Sequence, residues 1–504
     1  MKTFNRAVER CHDWLSRNPR VWSSRQALLR WNGRRAFTAG HSLEHVVAMG
    51  ASGSGKTSAC IKSMALGMLH AGYGVLFLSA KGSDPEDFLA WARMTGREKS
   101  VVRFGPGQRL GFNLLEYELG RGGPTEDRTM NVAGILAAVG EITARSLHDR
   151  QGEKIWQDAA EGLLNHALNV VLLAEGKVKL DDVVAVVTSA PATMLEAGDA
   201  GWRRSSVCYQ RLVAAEERCG SSRSLGLARE YFLQRWARFP VETKNSVFFT
   251  FSAMMDLLQR DPLHRLFFCQ TDFTPDILKA GAVVLVEAPT LAEGAQGKVI
   301  NGLMRLAVER MVQQHPAQNG ERPVAIIWDE FQTSVTRADS AFAAVARSHG
   351  CALVLATQNL PAVQEAIGHD AARALLANCR TKLFFANDDP ETNQYMADLV
   401  GKWPVKKKSI TRDNRGRASR TRHEQEEYAV PPRQALTLKT GGQEFGRQIT
   451  AILVQSGRRL SGDKPAMSVR FNQGHPMFGV LSPLVGTTGV LAERRPAPDF
   501  RWIA

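Results

Sequence analysis

The chain reads Gly50-Ala51-Ser52-Gly53-Ser54-Gly55-Lys56-Thr57, and Ser58 follows. A loop whose backbone N–H groups converge on phosphate oxygens needs glycine wherever a Cβ would block the approach. Lys56 is expected to reach the β and γ phosphates, and the Thr57 hydroxyl is expected to bind Mg²⁺. The alternative is a glycine-rich turn that binds no nucleotide. The position of the stretch, between an apolar run and a helical pattern, favours a phosphate-binding loop for ATP at residues 50–58.

Short apolar runs with helical patterns between them predict an α/β fold with a mostly parallel sheet. The strands are predicted at residues 45–49, 74–79, 101–104, 282–286, 324–328, 352–355 and 382–385. Between them, residues 121–265 have helical periodicity, as at 155–173, with a polar connection predicted at 201–223. We therefore predict an ATPase domain at 45–120 and 266–460, interrupted by an all-α insertion at 121–265. A basic helical segment is predicted at 1–44 and an irregular tail at 461–504.

A second motif of the ATPase domain is an apolar strand that ends in two acids, Asp329 and Glu330. Asp329 is expected to hold Mg²⁺, and Glu330 is expected to polarise the attacking water. The alternative is an acidic pair that caps the next helix at its positive end. Gln358, at the end of the following strand, is a candidate sensor of the γ-phosphate or simply a polar strand terminus. Arg347 is a candidate for the transition-state charge or an ordinary surface residue.

The composition is that of a folded protein with a strong basic excess: 504 residues, a net charge of +14 and a pI near 9.6. Such a charge favours a polyanionic partner, with nucleic acid ahead of an anionic membrane. The seven cysteines are scattered, which favours reduced thiols over a zinc or disulfide framework. We expect neither a signal peptide nor a spanning helix, and hence a cytoplasmic protein or one held at the inner membrane through a partner.

Several motifs in order resemble the type IV secretion coupling proteins, the TraG/TraD class of conjugative DNA-transfer ATPases in the FtsK/HerA-like P-loop superfamily. Besides the two motifs above, they are Leu78-Ser79-Ala80-Lys81-Gly82, Gly111-Phe112-Asn113-Leu114-Leu115, Phe273-Thr274-Pro275, Glu287-Ala288-Pro289, Arg347-Ser348-His349-Gly350, Thr357-Gln358, Asn378-Cys379-Arg380-Thr381-Lys382 and Lys439-Thr440-Gly441-Gly442.

The resemblance implies a RecA-like motor domain, an insertion that recognises cargo, and a homohexameric ring around a DNA channel. It also implies that Arg347 is an arginine finger and Gln358 a sensor, and that the partners are DNA, a relaxase or another secreted protein, and secretion-channel ATPases. Two features depart from the family: no spanning helices precede the motor, and Ser79 stands where the family usually has an acid.

Residues 402–422 form a basic stretch with one acid, and we predict a charged loop or hairpin there. The candidate DNA-binding residues are Lys406, Lys407, Lys408, Arg412, Arg415 and Arg417, with Trp403 as the nearest candidate for base stacking. The alternative is a solvated charge run. The N-terminal segment, with Trp14, Trp22 and Trp31, could likewise bind nucleic acid or lie on an anionic membrane surface.

Three functional hypotheses follow. The first is an ATP-hydrolysing DNA translocase that couples a DNA or DNA–protein substrate to a secretion channel. The second is a HerA-like double-strand DNA motor in repair or defence. The third is a nucleotide-gated receptor for protein cargo, against which the Asp329-Glu330 pair argues, because a pure switch needs only the first acid.

Overall fold

A nine-stranded sheet is the centre of the computed structural model, which describes residues 23–143, 147–314, 321–412 and 418–473. Side chains are described for these ranges except 147–153 and 406–423. The strands of the sheet are β3 (Val46–Met49), β4 (Gly74–Leu78), β5 (Val101–Phe104), β6 (Val283–Val286), β7 (Val324–Trp328), β8 (Cys351–Thr357), β9 (Thr381–Phe384), β12 (Gln448–Gln455) and β13 (Ala466–Asn472). The spatial order is β13-β12-β9-β3-β8-β7-β4-β6-β5.

The seven strands from β9 to β5 are parallel, and β12 and β13 continue the sheet in antiparallel pairing. Every residue of β4 and β7 is buried, as expected for parallel strands covered on both faces. Val46 and Ala48 of β3 face one hydrophobic core, while Val47 and Met49 face the other. The predicted α/β class with a mostly parallel sheet is confirmed.

One face of the sheet is covered by three helices and an N-terminal hairpin. The helices of this part of the chain are α1 (Ala39–Ser42), α2 (Lys62–Ala71) and α3 (Asp84–Met94), and the hairpin strands are β1 (Ala27–Trp31) and β2 (Arg35–Thr38). The helical interpretation of residues 27–38 was wrong. Asn32 and Gly33 both have positive φ, so they form the kind of tight turn that joins two antiparallel strands. Trp31 is buried against Phe37 and Phe471, which makes it a core residue and not a surface for nucleic acid or membrane.

The opposite face carries further helices of the α/β domain and the predicted helical insertion. The helices of the α/β domain here are α4 (Leu114–Leu119), α13 (Gly294–Gln313), α14 (Ala338–Ala346), α15 (Leu360–Ile367), α16 (His369–Asn378) and α17 (Pro390–Val400). The described residues of the insertion form α5 (Thr125–Thr143), α6 (Leu147–Glu175), α7 (Leu180–Thr188), α8 (Met194–Gly198), α9 (Ala200–Ser205), α10 (Val207–Cys219), α11 (Arg223–Glu230), α12 (Val241–Leu258) and the π-helical turns Tyr231–Trp236 and Arg265–Cys269.

The insertion packs directly on the α/β domain. Gly302 of α13 lies against the Ile142 side chain of α5, where any Cβ would collide with it. The predicted polar connection at 201–223 was wrong, because α9 and α10 occupy it with Asp199 and Ser206 as their N-caps. Among the described residues, no helix combines the length and the hydropathy needed to cross a membrane.

Two further elements lie at the C-terminal end. The basic stretch forms a two-stranded antiparallel ribbon, β10 (Lys402–Arg412) with β11 (Ala418–Tyr428), which is the predicted hairpin. In the segment predicted to be an irregular tail, β13 pairs with β12 along its length. Alternating buried positions in β13, such as Val469 and Phe471, explain this pairing.

Candidate nucleotide-binding site

The loop at 50–57 leaves the carboxyl end of β3, and its glycines are required for different reasons. Gly50 donates its N–H to the carbonyl oxygens of Thr357 and Gln358 at 3.3 and 3.1 Å, and a Cβ there would approach the Ser54 Oγ to 2.6 Å. Gly53 has open space around it but a φ of +75°, which L-residues rarely adopt. Gly55 combines a φ of +90° with close packing on Ile449. The loop geometry therefore depends on glycine at all three positions.

Lys56 and Thr57 begin the helix that follows the loop. The Lys56 ammonium group is buried and donates to the carbonyl oxygens of Gly50 at 2.5 Å and Ala51 at 3.2 Å. Burial lowers the pKa of Lys56, and the carboxylates of Glu330 and Asp329 partly oppose this. A π-helical turn at Thr57–Ile61 leads into α2, so a helix N-terminus points at the loop. This is the arrangement that attracts phosphate groups.

Asp329 meets Thr57 at the carboxyl end of β7. The Thr57 hydroxyl donates to Asp329 Oδ2 at 2.5 Å, although 272 positions separate the two residues in the sequence. Asp329 is buried, and its Oδ1 accepts the N–H of Glu330 at 3.0 Å. A hydroxyl and a carboxylate oxygen side by side are ligands of the type that Mg²⁺ prefers. The two motifs predicted from separate parts of the sequence thus form one site.

Glu330 is held in an unusual conformation. Its φ and ψ are both 47°, in the left-handed region, where a residue with a Cβ is strained by about 1–3 kcal/mol. Its carboxylate is buried, lies 4.0 Å from the Lys56 Nζ and accepts a hydrogen bond from Gln332 Nε2 at 2.8 Å. Strain of this kind at a buried carboxylate is typical of functional sites. Gln332 was not found from the sequence, since a lone glutamine after the acidic pair gives no signal.

The loop also fits an anionic ligand by its unsatisfied polar groups. The Ser54 Oγ is buried and has no hydrogen-bond partner among the described residues. Unpaired buried hydroxyls are costly, so such a group in a phosphate loop is explained by a ligand that accepts or donates a hydrogen bond there. With Lys56 and the helix N-terminus, Ser54 gives the loop the donor set that a triphosphate requires.

In the motif at the end of β4, Ser79 stands where the family usually has an acid. The acid of this segment is Asp84, five residues later. The Ser79 hydroxyl donates to the Val286 carbonyl at 2.6 Å and so links β4 to the strand beside it. The buried carboxylate of Asp84 accepts the N–H groups of Ala80 and Lys81 at 2.8 and 2.7 Å. Burial raises the pKa of Asp84, while these two hydrogen bonds lower it. The departure at Ser79 therefore leaves the turn after β4 fully hydrogen-bonded.

Gln358 and Arg347 lie at opposite ends of β8. Gln358 follows the carboxyl end of the strand, and its carbonyl accepts hydrogen bonds from Gly50 and from Asn387 Nδ2 at 3.0 Å, which places the residue beside the phosphate loop. Arg347 precedes the amino end of β8, in a 3₁₀ turn at Arg347–His349, and more than half of its side chain is exposed. The structure therefore brings Gln358 to the site and keeps Arg347 away from the site of its own chain.

The C-terminal strands also touch the loop. Ile449 of β12 packs on Gly55, and Gln473, just after β13, donates from Nε2 to the Ser58 Oγ at 3.0 Å. The Gln473 Oε1 in turn accepts the N–H of Gly442 at 2.9 Å. Ser58 and Gln473 are 415 positions apart, so no local sequence pattern predicts this contact.

The candidate nucleic-acid residues are only partly described. Arg415 and Arg417 lie outside the described residues, and for Lys406, Lys407, Lys408 and Arg412 only the backbone in β10 is described. Trp403 is half-buried, its Nε1 donates to the Val400 carbonyl at 3.4 Å, and the Lys464 ammonium lies 5.9 Å from its ring centroid. This packing makes Trp403 a poor candidate for base stacking.

Comparison with known proteins places this site in a family context. Residues 323–440, which include Asp329, Glu330, Arg347 and Gln358, match the family described as the TraM recognition site of TraD and TraG. Over 92% of its length the chain has the fold of the bacterial conjugative coupling protein TrwB: with the unbound form of that protein the TM-score is 0.60 at 14% identity, and 92% of that chain is covered. The resemblance to the type IV coupling proteins is confirmed.

Two further coupling-protein structures show what this fold holds elsewhere. TrwB in complex with a non-hydrolysable ATP analogue has a TM-score of 0.58 at 17% identity, with 93% of this chain and 95% of that chain covered. TrwB in complex with ADP and Mg²⁺ has a TM-score of 0.56 at 16% identity, with coverages of 92% and 94%. No curated protein sequence matches the chain. At these identities the likeness establishes the RecA-like coupling-protein fold, and the chemistry rests on the residues above.

Proposed function

We propose that this protein is an ATP-hydrolysing DNA translocase that acts as a coupling protein and delivers a DNA or DNA–protein substrate to a type IV secretion channel. The observation that carries the proposal is the contact of Thr57 with Asp329 beside the buried, strained Glu330. Binding alone requires the loop and one acid. The second acid, placed next to Lys56 and away from bulk water, supports hydrolysis.

Each residue of the site has a distinct role in this proposal. The loop at residues 50–58 and the Lys56 ammonium bind the phosphates, and Thr57 and Asp329 would hold Mg²⁺. When bound, Mg²⁺ neutralises charge on the β and γ phosphate oxygens. Glu330 orients the attacking water and accepts its proton, and Gln332 fixes the carboxylate for that task. Gln358, joined to the loop through Gly50, reports the state of the γ-phosphate to the sheet.

The ribbon β10–β11 is the proposed DNA contact. Its register pairs Lys406 with Glu424, so the strands divide into two halves of different charge. In the distal half, the described residues 407–412 and 418–422 include five basic residues and no acid, whereas residues 402–406 and 423–428 hold two basic residues and three acids. The excess positive charge is therefore at the tip, where contact with phosphate groups gives affinity independent of sequence.

The proposed partners follow from the family. The matched region in the TraD and TraG proteins is described as a recognition site for TraM, which supports a relaxosome protein as a partner of residues 323–440. The insertion at 121–265 would recognise a relaxase or other secreted cargo. In this proposal the chain forms a homohexamer around DNA and works in the cytoplasm. A partner or the secretion-channel ATPases hold the assembly at the inner membrane.

The test separates nucleotide binding from turnover. In Glu330→Gln the side chain keeps its shape and its contact with Gln332 but cannot accept a proton, so ATP should bind as in the unchanged protein and turnover should fall at least about a hundredfold. The matched control is Glu365→Gln, an exposed glutamate on α15 that is remote from the loop. Binding is measured with a fluorescent ATP analogue and turnover by phosphate release.

The outcome also decides between motor and receptor. DNA transfer supported by Glu330→Gln would contradict the motor and favour a nucleotide-gated receptor for protein cargo. Transfer lost together with turnover supports the motor. A HerA-like motor would show the same chemistry but would need no secretion apparatus.

A further inference from the structure

A cluster of arginines surrounds one carboxylate at the sheet edge opposite to the nucleotide site. The Glu44 side chain is only 10% exposed, and it lies 2.9 Å from an Arg458 Nη atom and 3.7 Å from Nη atoms of both Arg347 and Arg380. These residues come from four adjacent strands: Glu44 precedes β3, Arg347 precedes β8, Arg380 precedes β9 and Arg458 follows β12. The order of the strands in the sheet brings these four residues together.

Among the described residues, the cluster has more positive than negative charge. Three guanidinium groups face one carboxylate. Nearby histidines add no charge at neutral pH, because burial lowers the pKa of His41 and lowers that of His45 to about 4. The Arg347 and Arg380 side chains are 58% and 54% exposed, whereas Arg458 is 35% exposed. The guanidinium groups of Arg347 and Arg380 are therefore accessible to an anion from outside the chain.

The anion cannot be the nucleotide of the same chain. Glu44 and Gly50 lie at opposite ends of β3, six residues apart, which corresponds to about 20 Å at 3.3 Å per residue. The side chain of an arginine spans only a fraction of that distance. Arg347 and Arg380 can therefore meet a phosphate only if it is carried by another molecule.

We propose that Arg380 acts together with Arg347 on the triphosphate bound by a neighbouring copy of the chain, and that Glu44 is the positioning residue that holds both guanidinium groups. This inference rests on the proposed ATPase function and names a residue beyond the family's single arginine finger. Planar guanidinium groups suit the equatorial oxygens of a γ-phosphoryl group in transfer, where negative charge is spread over three atoms.

The backbone ties the cluster to the nucleotide loop of its own chain. The Arg380 N–H donates to the Glu44 carbonyl at 2.8 Å, and that of Thr381 donates to the His45 carbonyl at 3.2 Å. The His45 imidazole is buried and joins the carbonyl of Ala343 in α14 at 2.9 Å. A shift of β3 caused by nucleotide at its carboxyl end would therefore move the arginines at its amino end, which gives a route for communication from copy to copy.

The first experiment is the kinetics of Arg380→Ala, with Arg373→Ala as the control, because Arg373 is an exposed arginine on the neighbouring helix α16. Arg380→Ala should lower kcat at least about tenfold while the affinity for ATP stays within about twofold, since the side chain is remote from its own loop. Arg380→Lys should regain only part of the rate, because the fork is lost and the charge is kept. Turnover by Arg380→Ala equal to that of Arg373→Ala would overturn the inference.

Mixing two impaired variants tests whether the residue acts in trans and excludes simple misfolding. Arg380→Ala has an intact Glu330, and Glu330→Gln has intact arginines, so mixed assemblies contain complete sites at some of their interfaces. The mixture should hydrolyse ATP faster than the two variants do when their separate rates are added. The absence of any regain across a series of mixing ratios would mean that Arg380 serves its own chain, contrary to the proposal.

Glu44→Gln tests the positioning role. It removes the charge that gathers the guanidinium groups, so kcat should fall with KM unchanged, and Glu44→Asp should restore part of the rate. A merely structural role predicts instead a lower melting temperature and an unchanged kcat below it. If the unchanged protein does not hydrolyse ATP at all, the proposed function fails; if it does and these variants match it, only this inference fails.

Discussion

Replacing Arg305 by methionine tests how the end of β7, which carries Asp329 and Glu330, is held in place. Arg305 is fully buried in α13, and its guanidinium group contacts Asp339, donates to Glu309 Oε1 at 2.8 Å and to the Ser334 carbonyl at 3.3 Å. Its Cζ also lies 4.6 Å from the centroid of the Trp328 ring, one residue before Asp329. The group thus joins α13, α14 and the end of β7.

The loss of stability in Arg305→Met can be estimated from the charged groups that would remain. Burial raises the pKa of Glu309 well above its ordinary value, and the neighbouring Asp339 carboxylate raises it further. Arg305→Met leaves the buried Asp339 side chain without its cationic partner. Breaking a buried ion pair from one side costs about 3–5 kcal/mol. At roughly 2–4 °C per kcal/mol, the melting temperature should fall by about 10 °C.

Thermal unfolding followed by calorimetry or tryptophan fluorescence measures this change. The control is Arg260→Met, which breaks the exposed pair with Asp256 on the insertion and should cost about 0–1 kcal/mol. The double variant with Asp339→Asn removes the stranded charge but keeps an acceptor for the Thr336 N–H, so it should recover most of the loss. A melting temperature for Arg305→Met no lower than that of Arg260→Met would refute the reasoning.

Two further changes have defined outcomes. The pKa of His45 is lowered to about 4, chiefly by burial, so protons favour the unfolded state between pH 6.5 and 4 and stability falls as the pH falls. The free energy of unfolding should fall by about 2 kcal/mol from pH 7 to pH 5. His45→Asn, in which asparagine tolerates the φ of 60°, should remove this pH dependence, as measured by thermal melts at the two pH values. Gly55→Ala requires a φ of +90° and a Cβ against Ile449, so it should abolish ATP binding in a fluorescence titration, whereas Gly82→Ala, with open space around it, should bind as the unchanged protein does. A similar affinity for the two glycine variants would contradict this account of the loop.

The parts of the fold that could be predicted from sequence are those with local patterns. The buried parallel strands are continuous apolar runs, so β4 and β7 were placed to within a residue or two. The phosphate loop and the Asp329-Glu330 pair lie directly after such runs. Because carboxyl ends of parallel strands share one edge of a sheet, their meeting at Thr57 and Asp329 also followed.

Other features depend on contacts between distant parts of the chain. Gln332 and Gln473 touch the site only because the fold returns them to it. The arginines around Glu44 lie close together because of the order of the strands in the sheet, and that order cannot be predicted from the sequence. The hairpin at residues 27–38 was different, since the Asn32-Gly33 pair is a local turn signal that arginine and tryptophan content obscured.

ATP turnover by the full chain, measured with and without single- and double-stranded DNA across a salt series, tests the central claim most directly. A DNA translocase should show strong stimulation by DNA that fades as salt rises, because basic residues of the ribbon displace counterions from the DNA when they bind its phosphate groups. Reversing the charges of Arg415 and Arg417 should weaken that stimulation and leave basal turnover unchanged. Turnover that responds to neither DNA nor salt would contradict the translocase and favour a receptor for protein cargo.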